Sequence, residues 1–136
     1  MSGPDVAGPV RNWVTKAEGD LISADALLRS ADVPAWSPAF HLQQCAEKYI
    51  KALLTFLEIG FPKSHDIGEL IALLPGDQRP PVPAPMVADL TEYAAAGRYP
   101  GRSEPTIEEV REAIESVRGL RAWVRQRLPP GAVGPP

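Results

Sequence analysis

The stretch Phe40-His41-Leu42-Gln43-Gln44-Cys45-Ala46-Glu47-Lys48-Tyr49-Ile50-Lys51-Ala52-Leu53-Leu54 constrains this chain more than any other. At about 100° per residue, Leu42, Ala46, Tyr49, Ile50, Leu53, Phe56 and Leu57 fall on one side of a helix. His41, Gln44, Lys48 and Lys51 fall together on the far side, within an arc of roughly 80° by the same geometry. The first face needs a core to bury it. The second lines up an imidazole, an amide and two ammonium groups, a mixture that a solvated surface rarely requires.

The rest of the chain supplies partners for the apolar face. Residues 1–10 carry prolines and glycines with little to bury, which predicts a disordered tail. From Asn12, a candidate N-cap, Trp13, Ala17, Leu21, Ala24 and Leu28 recur at spacings of three and four. Pro34 ends that helix. Ser37-Pro38 reads as N-cap and first turn of the central helix, with Gly60 and Pro62 closing it. Asp66 with Glu69 resembles a capping box and opens a short helix through Leu74. Four prolines between Pro80 and Pro85 predict an extended connection. Met86 to Ala96 forms a fourth helical segment. Thr106-Ile107-Glu108-Glu109 is a capping box for a last helix striped by Ile107, Val110, Ile114, Val117, Leu120, Val124 and Leu128. Residues 129–136, opening on Pro129-Pro130-Gly131, read as a second disordered tail. The expectation is an all-α, antiparallel, up-and-down bundle of four to five helices over residues 11–128, with no strand.

Composition narrows the function. The chain has 136 residues, 44% hydrophobic and 23% charged, which suits one globular domain. A net charge of −3 argues against sequence-independent binding to duplex nucleic acid, and leaves room for a small basic site. The single cysteine, Cys45, permits no internal disulfide and reads as a small buried hydrophobe. No apolar run reaches the roughly 20 residues of a membrane span, and no leader pattern opens the sequence. A cytoplasmic protein without a membrane association is expected.

Neither histidine has a cysteine or carboxylate at zinc-ligand spacing, so no metal is expected, and no motif calls for a cofactor. Phosphate-loop glycines and a nucleophile elbow are absent from the sequence. Four features carry chemistry. The polar face of His41, Gln44, Lys48 and Lys51 is one, against the plainer reading of a solvated face with an i,i+4 pair of Glu47 and Lys51. His65 precedes a helix N-terminus, where backbone N–H groups favour anions. Arg98-Tyr99 combines a guanidinium with a ring, as a stacked base and its phosphate require. Arg118, Arg121, Arg125 and Arg127 suit the dipole and solubility of the last helix.

Taken in order, the stretch from Phe40 to Leu54 resembles the signature helix of HEPN-domain proteins. Lys63-Ser64-His65-Asp66-Ile67-Gly68-Glu69-Leu70 looks like that family's short motif before its third helix, and Arg98-Tyr99-Pro100 follows in the right place. The resemblance implies a helical bundle, commonly dimeric. In small prokaryotic members it implies a gene neighbour encoding a minimal nucleotidyltransferase, and in some pairs a toxin–antitoxin relationship. Other branches of the family are metal-independent ribonucleases marked by an arginine and a histidine with four to six residues between them. Upstream of His41 those positions hold Trp36, Ala35 and Pro34, and upstream of His65 they hold Gly60, Ile59 and Glu58. That catalytic motif is absent, so no catalytic residue is assigned.

The resulting expectation is a binding and regulatory module. His41, Gln44, Lys48, Lys51, His65, Arg98 and Tyr99 would receive a nucleotide or RNA phosphate. The partners would be a nucleotidyltransferase-like protein and a second copy of the chain. A divergent metal-independent ribonuclease is the alternative, with His41 or His65 as acid or base and Arg98 on the phosphorane. A helical dimerisation module without a ligand is the third reading.

Overall fold

The computed structural model describes residues 6–96 and 104–134. Among them there are six α-helices and no strand: α1 (Ala7–Leu28), α2 (Trp36–Phe56), α3 (Ile67–Ala72), α4 (Ala84–Ala96), α5 (Ile107–Arg125) and α6 (Pro130–Val133). A short 3₁₀ turn, Gly76–Gln78, interrupts the proline-rich connection. The central helix α2 packs against α1, α3, α4 and α5, and buries its apolar face from Leu42 to Leu54, with Phe56 and Leu57 half-buried at its end. Leu42, Tyr49, Ile50, Leu53 and Leu54 meet Val14 and Ala17 of α1, Leu70 of α3, Leu90 of α4 and Val117 of α5 in one core. Fully burying each large aliphatic side chain contributes about 1.5–3 kcal/mol, so this centre outweighs every surface pair described below.

Helix starts differ from the expectation in instructive ways. α1 begins at Ala7 rather than near Asn12, because Val10 is fully buried and draws the first turn onto the core. Pro9 is tolerated there, since first-turn N–H groups have no helical acceptor. α2 begins at Trp36, with Ala35 rather than Ser37 at the N-cap. Asp66 caps α3 by accepting from the Glu69 amide at 3.0 Å, but the Glu69 carboxylate turns to the Ser64 hydroxyl at 3.1 Å, so only half of the expected box forms. The box of α5 is complete: Thr106 Oγ1 accepts from the Glu109 amide, and Glu109 Oε1 accepts from the Thr106 amide.

The ends of α2 and of the bundle also differ from the expectation. The end of α2 closes at Glu58 rather than Gly60. Glu58 takes φ of 57°, and the Ile59 and Glu58 amides bond back to Leu54 and Thr55, a left-handed stop that glycine ordinarily supplies. Beyond α5, Arg125 donates to the Val133 carbonyl at 2.9 Å and Arg11 to the Gly131 carbonyl at 3.1 Å. Ala132 is buried, so α6 is part of the fold where a disordered tail was expected.

Candidate functional site

The polar face of α2 is covered rather than open. α1 runs antiparallel across it, pairing Trp13 with Lys51, Glu18 with Tyr49, and Asp20 with Lys48 and His41. The expected line of polar residues is therefore divided into two clusters, each centred on a carboxylate.

In the first, Asp20 Oδ1 lies 2.9 Å from His41 Nδ1, and Asp20 Oδ2 accepts from Lys48 Nζ at 2.6 Å. The Asp20 side chain is 12% exposed, Lys48 19% and His41 31%. In the second, Glu47 Oε1 lies 2.7 Å from His65 Nδ1, and Glu47 Oε2 accepts from Lys51 Nζ at 3.1 Å. Here Glu47 and Lys51 are buried, while His65 keeps 64% of its side chain in solvent. A carboxylate can only accept, so each imidazole carries its proton on Nδ1 toward the protein. The outward Nε2 is then a lone pair in the neutral ring and an N–H donor in the cation.

Gln43 and Gln44 join the clusters. Gln43 is fully buried, and its amide donates to Glu47 Oε1 and to the His65 carbonyl, each at 3.0 Å. Its Oε1 accepts from Gln44 Nε2 at 2.7 Å. Gln44 stands one turn from both His41 and Lys48 on α2, which brings it to the edge of the Asp20 cluster. Among the described residues, no buried side-chain nitrogen or oxygen lacks a partner, as the low dielectric of such a network demands.

Lys51 has a role that periodicity did not reveal. Its ammonium lies 5.5 Å from the Trp13 ring centroid and 5.7 Å from that of Phe61, whose rings meet edge-on at 6.2 Å. With Glu47 on its remaining side, Lys51 is enclosed. The i,i+4 pair of the plainer reading does exist, but it is buried rather than solvated. His41 and Lys48 meet on Asp20, while His65 and Gln44 are each bonded to Gln43. Arg98 and Tyr99 lie outside the described residues.

A third cluster was missed by sequence reasoning. Glu18 accepts from the Arg121 guanidinium through two bonds of 2.7 Å and from the Tyr49 hydroxyl, while Arg125 approaches both Tyr49 and Glu18. Burial alone would raise the Glu18 carboxyl, but the hydrogen bonds from Arg121 and Tyr49 and the two guanidinium charges hold it below the usual value. Burial, and then the Glu18 contact, push the Tyr49 hydroxyl up, so it stays a donor. Arg121 and Arg125 thus turn inward to the seam instead of serving the surface as expected. Arg127 lies over Trp123, 3.5 Å from its centroid. Cys45 is buried, and desolvation, aided by Glu18 and Asp20, raises its thiol, in keeping with an inert core residue.

No helix among the described residues is long and apolar enough to cross a membrane. Comparison with known proteins agrees with the fold. The chain is similar to TT1696 from Thermus thermophilus, with 31% identity over 88% of this chain and 98% of that one, and a TM-score of 0.69. It is also similar to ST0689, an archaeal HEPN homologue, with 27% identity over 87% of this chain and 96% of that one, and a TM-score of 0.67. No curated protein matches it. The family model for the HEPN domain matches residues 10–127, nearly the whole bundle, and the chain belongs to the HEPN family.

Proposed function

We propose that the protein is a binding and regulatory module that receives a nucleotide or RNA phosphate along the edge of α2. It works as a cytoplasmic homodimer and partners a minimal nucleotidyltransferase in a toxin–antitoxin-like pair. One observation carries the phosphate reading. Two imidazoles are held by carboxylates on their Nδ1 sides, His41 beside Lys48 on Asp20 and His65 on Glu47, which leaves each Nε2 to meet a ligand. A phosphate near Nε2 favours the imidazolium, whose N–H makes a charge-assisted bond, and Lys48 adds a second cation. Glu47, Gln43 and Lys51 set this arrangement from below. Arg98 and Tyr99 enter through their place in the family-like motif, as a charge partner and a stacking ring. The pairing with a nucleotidyltransferase rests on family membership, and the homodimer also on the exposed Ile22 of α1.

Calorimetric titration with AMP, ATP and a short RNA tests this reading. Binding that weakens about tenfold in Lys48→Ala is expected, the loss of one charge-assisted contact. If none of the three binds, the module is one of assembly alone, its polar edge completed by a protein. Sedimentation equilibrium checks the dimer.

The two histidine–carboxylate pairs also favour a second reading, a divergent metal-independent ribonuclease. One imidazole would take a proton from the attacking hydroxyl and the other would protonate the leaving oxygen. Metal-free cleavage of RNA that disappears in His41→Ala would establish it. Unchanged RNA with both proteins would dispose of it.

A further inference from the structure

A cavity of about 230 Å³ lies between the proline-rich connection and α5, with Pro81 and Pro83 from the first and Ser116, Gly119, Leu120 and Trp123 from the second. It shares no residue with the Asp20, Glu47 or Glu18 clusters, and no charged side chain lines it. Both walls are set in advance. The proline rings fix the backbone of the connection, the Val82 amide donates to the Pro80 carbonyl at 2.9 Å, and the Val87 amide donates to the Pro83 carbonyl at 3.1 Å, which ties this wall to the first turn of α4. On α5, the Arg127 guanidinium lies 3.5 Å from the centroid of the Trp123 ring and donates to the Trp123 carbonyl at 2.9 Å. Two features of α5 point to an occupant. Gly119 stands mid-helix, where glycine is disfavoured beside alanine, and nothing among the described residues lies within 4 Å of the place its Cβ would take. No close approach therefore calls for glycine, and its missing side chain keeps the cavity open. The Ser116 hydroxyl and the Trp123 indole N–H, both on lining residues, have no hydrogen-bond partner among the described residues.

We infer that this cavity binds a small neutral phenol, one aromatic ring with one hydroxyl. A dry apolar cavity of roughly 150 Å³ already holds benzene, so this one has room for a single substituted ring. Indole and proline walls give the ring its apolar contact, and an indole favours an aromatic partner over a saturated one of the same size. The indole N–H can only donate, whereas the serine hydroxyl donates and accepts. A phenolic hydroxyl does both and so answers each. The absence of a charged side chain from the walls favours a neutral ligand over an aromatic acid or amine. The α5 residues exposed near this stripe, Glu112, Glu115, Arg118 and Gln126, are charged or polar, whereas the centre of a protein interface is depleted of charge. The occupant is therefore a free molecule rather than the side chain of a partner.

Proton–nitrogen NMR of the full chain, titrated in turn with phenol, benzene and cyclohexanol, tests this. Phenol is expected to shift the Trp123 indole N–H and the Gly119 amide, and to bind about fivefold more tightly than benzene, the worth of one hydrogen bond. Cyclohexanol, which keeps the hydroxyl and loses the aromatic ring, should bind more weakly than phenol. Ser116→Ala should remove most of the preference for phenol over benzene. Gly119→Leu, which fills the cavity, should abolish the phenol shifts. Both changes place a stronger helix former on α5, and unchanged spectra of α1 and α2 verify that the fold is kept. Phenol shifts that persist in Gly119→Leu overturn the site. So does a Trp123 N–H that stays still up to the solubility limit of phenol. Equal affinity for phenol and cyclohexanol overturns the assignment of an aromatic ligand.

Discussion

The Asp20 and Glu47 clusters have the same parts and opposite exposures. Each carboxylate takes a lysine on one oxygen and a histidine Nδ1 on the other. In the Glu47 cluster the ion pair is enclosed by Trp13 and Phe61, and only the imidazole reaches solvent. In the Asp20 cluster all three members keep some exposure. The difference teaches that one motif serves two purposes here. The Glu47 cluster is an anchor that fixes the segment around Phe61 and His65 against α2. The Asp20 cluster stays in reach of water at all three members.

Breaking each cluster measures that difference. The largest effect should come from Glu47→Ala, which leaves the Lys51 ammonium buried without a counter-charge. Denaturant unfolding should show a loss of about 3–5 kcal/mol. Asp20→Ala should lose only about 1–2 kcal/mol, because Lys48 and His41 can turn to water. Equal losses would show that the two clusters do not differ as described. A change outside both clusters supplies the scale: Glu58→Gly relieves the left-handed residue at the end of α2 and should gain about 0.5–1 kcal/mol by the same measurement.

The Glu18 cluster sharpens the comparison through pH. Its carboxyl titrates below the usual value in the folded protein, so its contribution is present above the unfolded carboxylate value and fades as pH falls through the folded one. Unfolding followed across that acid window should show a shallower loss of stability in Glu18→Gln than in the parent. Parallel curves would mean that Arg121 and Arg125 hold Glu18 no more strongly in the folded chain than in the unfolded one.

Much of the fold was legible because α2 is strongly two-faced and the long helices around it carry regular apolar stripes. The capping box at Thr106 was legible for the same reason, since it is a local pattern. What the sequence did not disclose depends on cross-helix geometry. Asp20 finds its partners on α2, 21 and 28 residues away, beyond the reach of any spacing along its own helix. Lys51 shares a helical arc with His41 and Lys48, but a few tens of degrees of rotation separate a lysine at the edge from one sealed under two rings. Gln43 gave no signal, because a buried amide looks like a surface one until its three partners are known. The ends of the domain were misjudged because one buried residue, Val10 or Ala132, suffices to order a segment rich in proline and glycine.

The central claim is that carboxylates fix both imidazoles so that their Nε2 atoms meet a phosphate. Long-range proton–nitrogen NMR of His41 and His65, recorded as AMP is added, tests this most directly. The account predicts that both free rings carry their proton on Nδ1, and that the Nε2 signals of both move toward the protonated form as AMP binds. Rings protonated on Nε2 in the free protein, or Nε2 signals that stay still while AMP binds, would contradict it.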